Sequence, residues 1–207
     1  MARSRSQQAH ERVLRAALDL FSARGIDATS MDAISQTSGV SKATIYNHWA
    51  NKEALLMDAM MLIHGVNRDP EDVDSGDVRG DLITVLHRRP PDEYDAVRDR
   101  LMPAMVAYSA THREFGDAWR HRVMEPGRVL LKRILRRGME RKLLPSSLDL
   151  EAAMALLLGP LLYLKIFRGE CPTKDMETRI VDSFWQSHAI SGAPAPTRAP
   201  RRRTATK

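Results

Sequence analysis

The chain has 207 residues and a formal net charge of +6, from 32 Lys and Arg against 26 Asp and Glu. That length suits one small unit plus one larger one with a real core. Its single cysteine, Cys171, excludes an intramolecular disulfide, a CxxC redox pair and a cysteine-built zinc cluster, and fits a reduced cytoplasm. The positive excess sits mainly in residues 191–207, which carry five basic side chains and no acidic one. Residues 1–190 are nearly neutral, so bulk charge says little about the folded part. No apolar run follows the basic start ARSRSQQAHER. The longest apolar stretch, Met154 to Leu164, is too short to span a bilayer and contains Gly159 and Pro160. A soluble, cytoplasmic protein without a membrane partner is expected.

In chain order, the first predicted helix runs from about Gln8 to Ala23, with Val13, Ala17, Leu20 and Phe21 at helical spacing and Gly25 after its end. The stretch TSMDAISQTSGVSKATIYNHWANK, Thr29 to Lys52, then divides into two short helices about a tight turn. Thr29 or Ser30 caps the first, Asp32 favours its positive end, and Met31, Ala33 and Ile34 supply an apolar stripe. Gly39 turns the chain, Val40 plugs the angle between the helices, and Ser41 caps the second. From Lys42 to Trp49, Ile45 and Trp49 face inward, four residues apart. Lys42, Thr44, Tyr46, Asn47 and His48 fall on the outer surface. A cation, a hydroxyl, an amide, a phenol and an imidazole can reach phosphate oxygens or base edges, and small Ala43 allows close approach or contact with a thymine methyl. Asn51 caps a further helix with Lys52 in its first turn, beside free N–H groups that favour an anion.

The segment GVSKATIYNHWANKEALL resembles the recognition segment of the TetR family of bacterial transcription regulators, and VLRAALDLFSARGIDATSMDAI resembles that family's first helix and the bridge into its second. The resemblance covers roughly the first quarter of the chain. It implies that Tyr46, His48 and Lys52 contact phosphates, that Thr29 and Ser30 anchor the start of the second helix on the DNA backbone, and that Lys42, Ala43, Thr44 and Asn47 face the groove as readers. The partner it implies is double-stranded operator DNA.

Beyond this unit, Glu53 to His64 reads as a bridge helix ended by Gly65, and Asn67 to Gly76 as an acidic loop. Calcium is conceivable for its carboxylates, but the EF-hand spacing and terminal glutamate are missing, which favours a solvated loop. Helical blocks follow over Asp77–Arg88, Asp92–Thr111, Arg113–Met124, Pro126–Lys142, Leu150–Phe167 and Thr173–Ala189, with Asp149 and Thr173 as N-caps and almost no strand signal. Pro90-Pro91 and Pro145-Ser146-Ser147 separate blocks. Pro103 and Pro160 lie inside helical patterns, where each kinks its helix harmlessly or opens room beside the core. GPLLYLKIFRGECP is similar to the penultimate helix and following turn of some TetR-like C-terminal domains. The tail SGAPAPTRAPRRRTATK lacks core residues and is expected to be disordered, with its arginines either grazing DNA phosphates or only solubilising the chain.

The predicted architecture is all-α. Residues 1–65 form a three-helix helix-turn-helix DNA-binding domain with its bridge helix, residues 66–190 a larger helical ligand-binding and dimerisation domain, and residues 191–207 a basic tail. No nucleophile elbow, phosphate-cradling glycine loop or HExxH sequence is present, so no enzyme activity, metal or cofactor is expected. His121 and Glu125 read as a surface pair, and Cys171 lacks a cationic activator. Met102, Met105, Tyr108, Phe115, Trp119, Met124, Leu131, Leu156, Leu157 and Tyr163 are either plain core or the wall of an apolar cavity. The resemblance favours the cavity and implies a hydrophobic small-molecule inducer that loosens DNA binding. The apolar faces holding Leu158 and Leu162, and Val181, Phe184 and Trp185, exceed what a terminal helix pair needs. By resemblance, they form a four-helix bundle in a two-fold homodimer. The function expected is a repressor released from its operator by an apolar inducer; the alternative is a ligand-independent DNA-organising protein.

Overall fold

A computed structural model describes residues 5–66, 72–88 and 92–190. The tail, Pro90-Pro91 and the start of the acidic loop lie outside these residues. Among them every regular element is a helix. Four helices come first: α1 (Arg5–Arg24), α2 (Met31–Ser38), α3 (Lys42–His48) and α4 (Lys52–His64). Then follow α5 (Val78–Leu86), α6 (Asp95–Thr111), α7 (Arg113–Trp119), α8 (Glu125–Glu140), α9 (Leu150–Tyr163) and α10 (Lys174–His188).

The caps form as the sequence dictates. Ser30, Ser41, Asn51, Asp149 and Thr173 each accept a hydrogen bond from a first-turn N–H of the helix that follows, satisfying a donor with no partner inside the helix. Gly39 adopts the left-handed conformation that ends α2, with φ of 66°.

Two stretches widen into π turns. Arg120–Met124 forms a π turn between α7 and α8, and Leu164–Arg168 forms another after α9. Pro126 follows the first: it has no N–H to donate and its ring crowds the carbonyl four residues back, so the wider turn accommodates it. Both α6 and α9 run on as helices through Pro103 and Pro160.

The apolar residues sort into two cores. One joins α1–α4 to α6, α7 and the first π turn through Phe21, Ile34, Ile45, Trp49, Leu56, Met60, Leu101, Met105, Phe115 and Trp119. The other joins α5, α8, α9 and α10 through Leu82, Leu131, Ile134, Met154, Leu157, Val181, Phe184 and Trp185. The first core therefore crosses residue 65 without interruption. Helices α6 and α7 meet so closely that a Cβ on Gly116 would lie 2.4 Å from the Ser109 carbonyl oxygen.

The acidic loop is more than solvated. Asp72 pairs with Arg137 at 3.1 Å and Arg133 at 3.5 Å, and Asp74 with Arg141 at 2.8 Å. The hydrogen bond from Arg141 holds the Asp74 carboxyl below the usual carboxylate range. Buried Asp81 accepts from the Ser75 hydroxyl and fastens the loop's far end. Among the described residues no group of three His, Cys, Asp or Glu side chains is placed to hold a metal ion.

At the end of α4, Arg98 of α6 is 5% exposed and donates to the Ile63 carbonyl at 2.8 Å, giving an orphan helix-end acceptor a cationic partner. Burial, followed by the charges of Arg98 and Lys165, pushes the neighbouring His64 imidazole from its ordinary 6.5 down to about 4.

Gly116→Ala must force α6 and α7 apart and is expected to cost about 1–3 kcal/mol in urea unfolding, whereas Gly127→Ala, with nothing within 4 Å, should be neutral or gain up to about 1 kcal/mol. Equal effects would show that the α6–α7 contact is loose. Between about pH 6.5 and 4 the unfolded chain binds a proton at His64 that the folded chain refuses. The stability this neutral ring supports is thus complete above about pH 6.5 and is lost as pH falls through that window. His64→Gln should flatten the dependence of the urea midpoint on pH there; an unchanged slope would assign it to other groups.

Candidate nucleic-acid interface

The helix-turn-helix is built from α2, the Gly39–Val40 turn and α3. Val40 is buried in the angle, and Ser35 Oγ donates to its carbonyl at 2.7 Å, tying the turn to α2. Ile45 and Trp49, at 1% and 2% exposure, anchor α3 from beneath. The Trp49 ring stacks on His10 of α1 at 4.6 Å, and its Nε1 donates to Asp58 of α4 at 2.9 Å. One indole thus joins α1, the end of α3 and α4. With its inner face held, α3 can present only its outer face.

That face carries Lys42, Ala43, Tyr46, Asn47 and His48, all exposed, with Thr44 half-buried. Lys42 Nζ lies 2.6 Å from Asp32 Oδ2 across the turn, and the hydroxyls of Thr44 and Ser41 are 2.8 Å apart. His48 meets His10 edge-on at 5.7 Å. Burial and the charge of His48 push the His10 imidazole down, partly offset by Asp58 and Glu11.

The remaining expected contacts are placed differently. Thr29 is buried and its hydroxyl donates to the Gly25 carbonyl at 2.7 Å, so it secures the α1–α2 link from within. Ser30 is exposed at the head of α2 with its Oγ accepting from Ala33 N–H. Lys52 Nζ donates to the Ile26 and Asp27 carbonyls at 2.8 and 3.3 Å, leaving one of its three donors for an anion. Asp32, expected only to favour the positive end of α2, lies beside Lys42 on the same exposed surface, a placement visible only once the turn brings α2 and α3 together.

The expected cavity wall does not form one set. Met102, Met105, Tyr108, Phe115 and Trp119 lie in the first core, with Met124 packed against it. Leu131 and Leu157 belong to the second core, and Tyr163 and Leu156 are exposed at 56% and 51%. The ten side chains are thus divided between two cores and the surface, so no single cavity is lined by all of them. Within the first group, Trp119 Nε1 is buried without a hydrogen-bond partner. Tyr108 donates its hydroxyl to Glu53 Oε1 at 3.0 Å, linking α6 to the first turn of α4; burial, then that bond, pushes the phenol up to about 12. Beside this contact opens a cleft of about 460 Å³ between the α1–α2 link and α6.

The expected partner-facing residues also divide. Val181, Phe184 and Trp185 are at most 4% exposed and pack into this chain's own second core. The outward surface of the last helices is carried instead by Leu156, Leu162, Tyr163 and Phe167, the last 77% exposed, with Leu158 half-buried. A groove of about 580 Å³ runs between α9 and α10. Leu150–Arg168 is 19 residues long and, by length and composition, apolar enough to cross a membrane. The uninterrupted apolar run Met154–Leu164 is shorter because Glu151 precedes it and Lys165 follows it, although the helix itself is expected over Leu150–Phe167. His121 is exposed, and Glu125 pairs with Arg128 and Lys132 rather than with it.

Comparison with known proteins agrees with this geometry. Residues 13–59 match the family described as bacterial regulatory proteins, tetR family, and residues 72–184 match a tetracyclin repressor-like C-terminal domain. The chain is 30% identical over 169 residues to the HTH-type transcriptional regulator YdeS of Bacillus subtilis strain 168, covering 81% of this chain and 83% of that protein. Among solved structures, the flavonoid-responsive regulator FrrA superposes with a TM-score of 0.66 at 22% identity, over 90% of this chain and all of that one. The triclosan complex of SmeT, a Stenotrophomonas maltophilia repressor, superposes with 0.64 at 18% identity, over 94% and 98%. With both halves matched in order, the chain belongs to the TetR family of DNA-binding transcription regulators, which are not enzymes.

Proposed function

We propose that this protein is a cytoplasmic, homodimeric repressor that leaves its operator when an apolar small molecule enters the α6–α7 part of the first core. The observation that carries the reading is the continuity of that core: the side chains anchoring α3 and those of α6 and α7 pack as one body. Two recognition helices must enter successive major grooves about 34–36 Å apart, so a small tilt of α4 changes whether both fit. A ligand needs a differential affinity of only ~1–3 kcal/mol between the two forms to shift DNA binding from several-fold to about a hundredfold.

The unpartnered Trp119 Nε1 favours an inducer with one acceptor oxygen on an otherwise apolar body, since a buried donor without a partner is costly until a ligand supplies one. Flavonoids and triclosan, named for two structural neighbours, are aromatic molecules that carry such an oxygen. The Tyr108–Glu53 bond offers a direct polar path from α6 to the head of α4. For assembly, the exposed Leu162, Tyr163 and Phe167 supply an apolar face that a second copy would bury about a two-fold axis.

Operator binding is tested by selecting sites from random DNA with the full chain. Tyr46→Phe should weaken all sequences alike, and Asn47→Ala should change the preferred base at one position in each half-site. Uniform loss in both variants would remove Asn47 from the readers. Phe167→Glu should yield monomers in sedimentation and lose tight operator binding, because a lone half-site forfeits the second contact; a dimeric variant would move the interface elsewhere. A panel of flavonoids and chlorinated phenols should raise the melting temperature and release operator DNA, and Met105→Trp should block both. Tyr108→Phe should keep ligand stabilisation but blunt release; stabilisation without release in the wild type would sink the inducer reading.

A further inference from the structure

We infer that Asp32 and Lys42 act together as a single reader of one G·C base pair in each half-site, the lysine on guanine and the aspartate on cytosine. The inference rests on the operator-binding reading above and assigns to it a base and a residue from outside the recognition helix.

Asp32 lies in the first turn of α2, and Lys42 is the first residue of α3. In this helix pair the N-terminal residues of the second helix meet the base edges. The Lys42 and Asp32 side chains are 55% and 59% exposed, and the ammonium and carboxylate are 2.6 Å apart. Such an exposed pair contributes little to stability, and α2 is already capped by Ser30 without the help of Asp32. A carboxylate facing a polyanion is repelled unless it meets a donor. In the major groove, cytosine N4 is the donor that an aspartate accepts from.

The spacing fits. Guanine O6 and cytosine N4 are themselves hydrogen-bonded at about 2.9 Å, close to the 2.6 Å between the two charged groups. Laid over that pair, the ammonium faces O6 and the carboxylate faces N4, so donors and acceptors alternate around four centres. Lys42 keeps further donors for N7, and Asp32 keeps its second oxygen. An A·T pair offers the same alternation in the opposite sense, with adenine N6 under the carboxylate and thymine O4 under the ammonium. It then sets N7, an acceptor, beside the carboxylate and the thymine methyl beside the ammonium, so it is the poorer partner. Nearby, Ala43 has no polar atom, and the Ser41 and Thr44 hydroxyls already share one hydrogen bond, which leaves this pair the freest charged groups at the head of α3.

The test selects sites from random double-stranded DNA with full-length wild type, Asp32→Ala, Asp32→Asn and Lys42→Ala, then measures binding to the selected site and to a copy with that G·C pair changed to A·T. Wild type should prefer G·C by about ten-fold. Each variant should reduce that preference at the same position while leaving the other positions intact. If Asp32→Ala and Asp32→Asn tighten binding to every sequence equally and preserve all preferences, the aspartate is only a surface charge and the inference falls. If Lys42→Ala weakens all sequences alike and lowers the salt slope by about one, the lysine binds a phosphate and the inference also falls. Wild type that selects no site at all would overturn the operator reading itself, and this inference with it.

Discussion

The orientation of the reading helix rests on the burial of Trp49. A seven-residue helix is too short to hold itself in water, so α3 exists only because tertiary packing fixes it. Trp49 does this from the helix's end, stacking on His10 and donating to Asp58, and Arg122 approaches the same carboxylate at 3.8 Å. One aromatic ring thereby ties the start of the chain, the reading helix, the bridge helix and the first π turn to a common point. Whatever displaces Asp58 or α4 is felt at the outer face of α3.

The connection between α3 and the α6–α7 helices is one of packing. The apolar contacts continue from Ile34 and Ile45 through Leu56 and Met60 to Met105 and Phe115. Close-packed interiors transmit displacement because they compress little. The polar connections mark the two ends of α4: Tyr108 meets its first turn through Glu53, and Arg98 meets its last through Ile63. Asp99 of α6 in turn holds Lys165 at 2.7 Å, joining the second π turn to the same helix. The bridge helix is therefore gripped at both ends by α6.

Local signals read well from the sequence. Caps such as Ser41 and Asn51, the glycine stops and the inward pair Ile45 and Trp49 depend on residues within one turn, and they appear where the chemistry of the side chains puts them. What spacing cannot decide is which of two apolar faces points inward. Helix α9 is apolar nearly all round, and α10 has one apolar face that its own chain covers, so Val181, Phe184 and Trp185 read as available when they are already buried. The cavity candidates divide for a related reason: residues far apart in sequence share a character without sharing a place, as Trp119 and Leu157 do in separate cores. Asp32 and Lys52 show the third limit. Their partners, Lys42 and the Ile26 and Asp27 carbonyls, lie across turns that only the folded chain closes.

The first π turn also sets a phase. Helices α7 and α8 form nearly one continuous rod, yet Phe115, Trp119 and Val123 serve one core while Leu131, Ile134 and Leu135 serve the other. In an α-helix each residue advances the face by about 100°. A widened turn inserts roughly one residue's worth of rotation without breaking the rod, which lets a single rod address two layers of partners. Loss of one residue between Arg120 and Met124 would leave the composition almost unchanged. It would turn the whole of α8 by about a quarter of a revolution relative to α7 and swing its arginines away from Asp72 and Asp74. The length of this short stretch is thus more tightly constrained than its residue types.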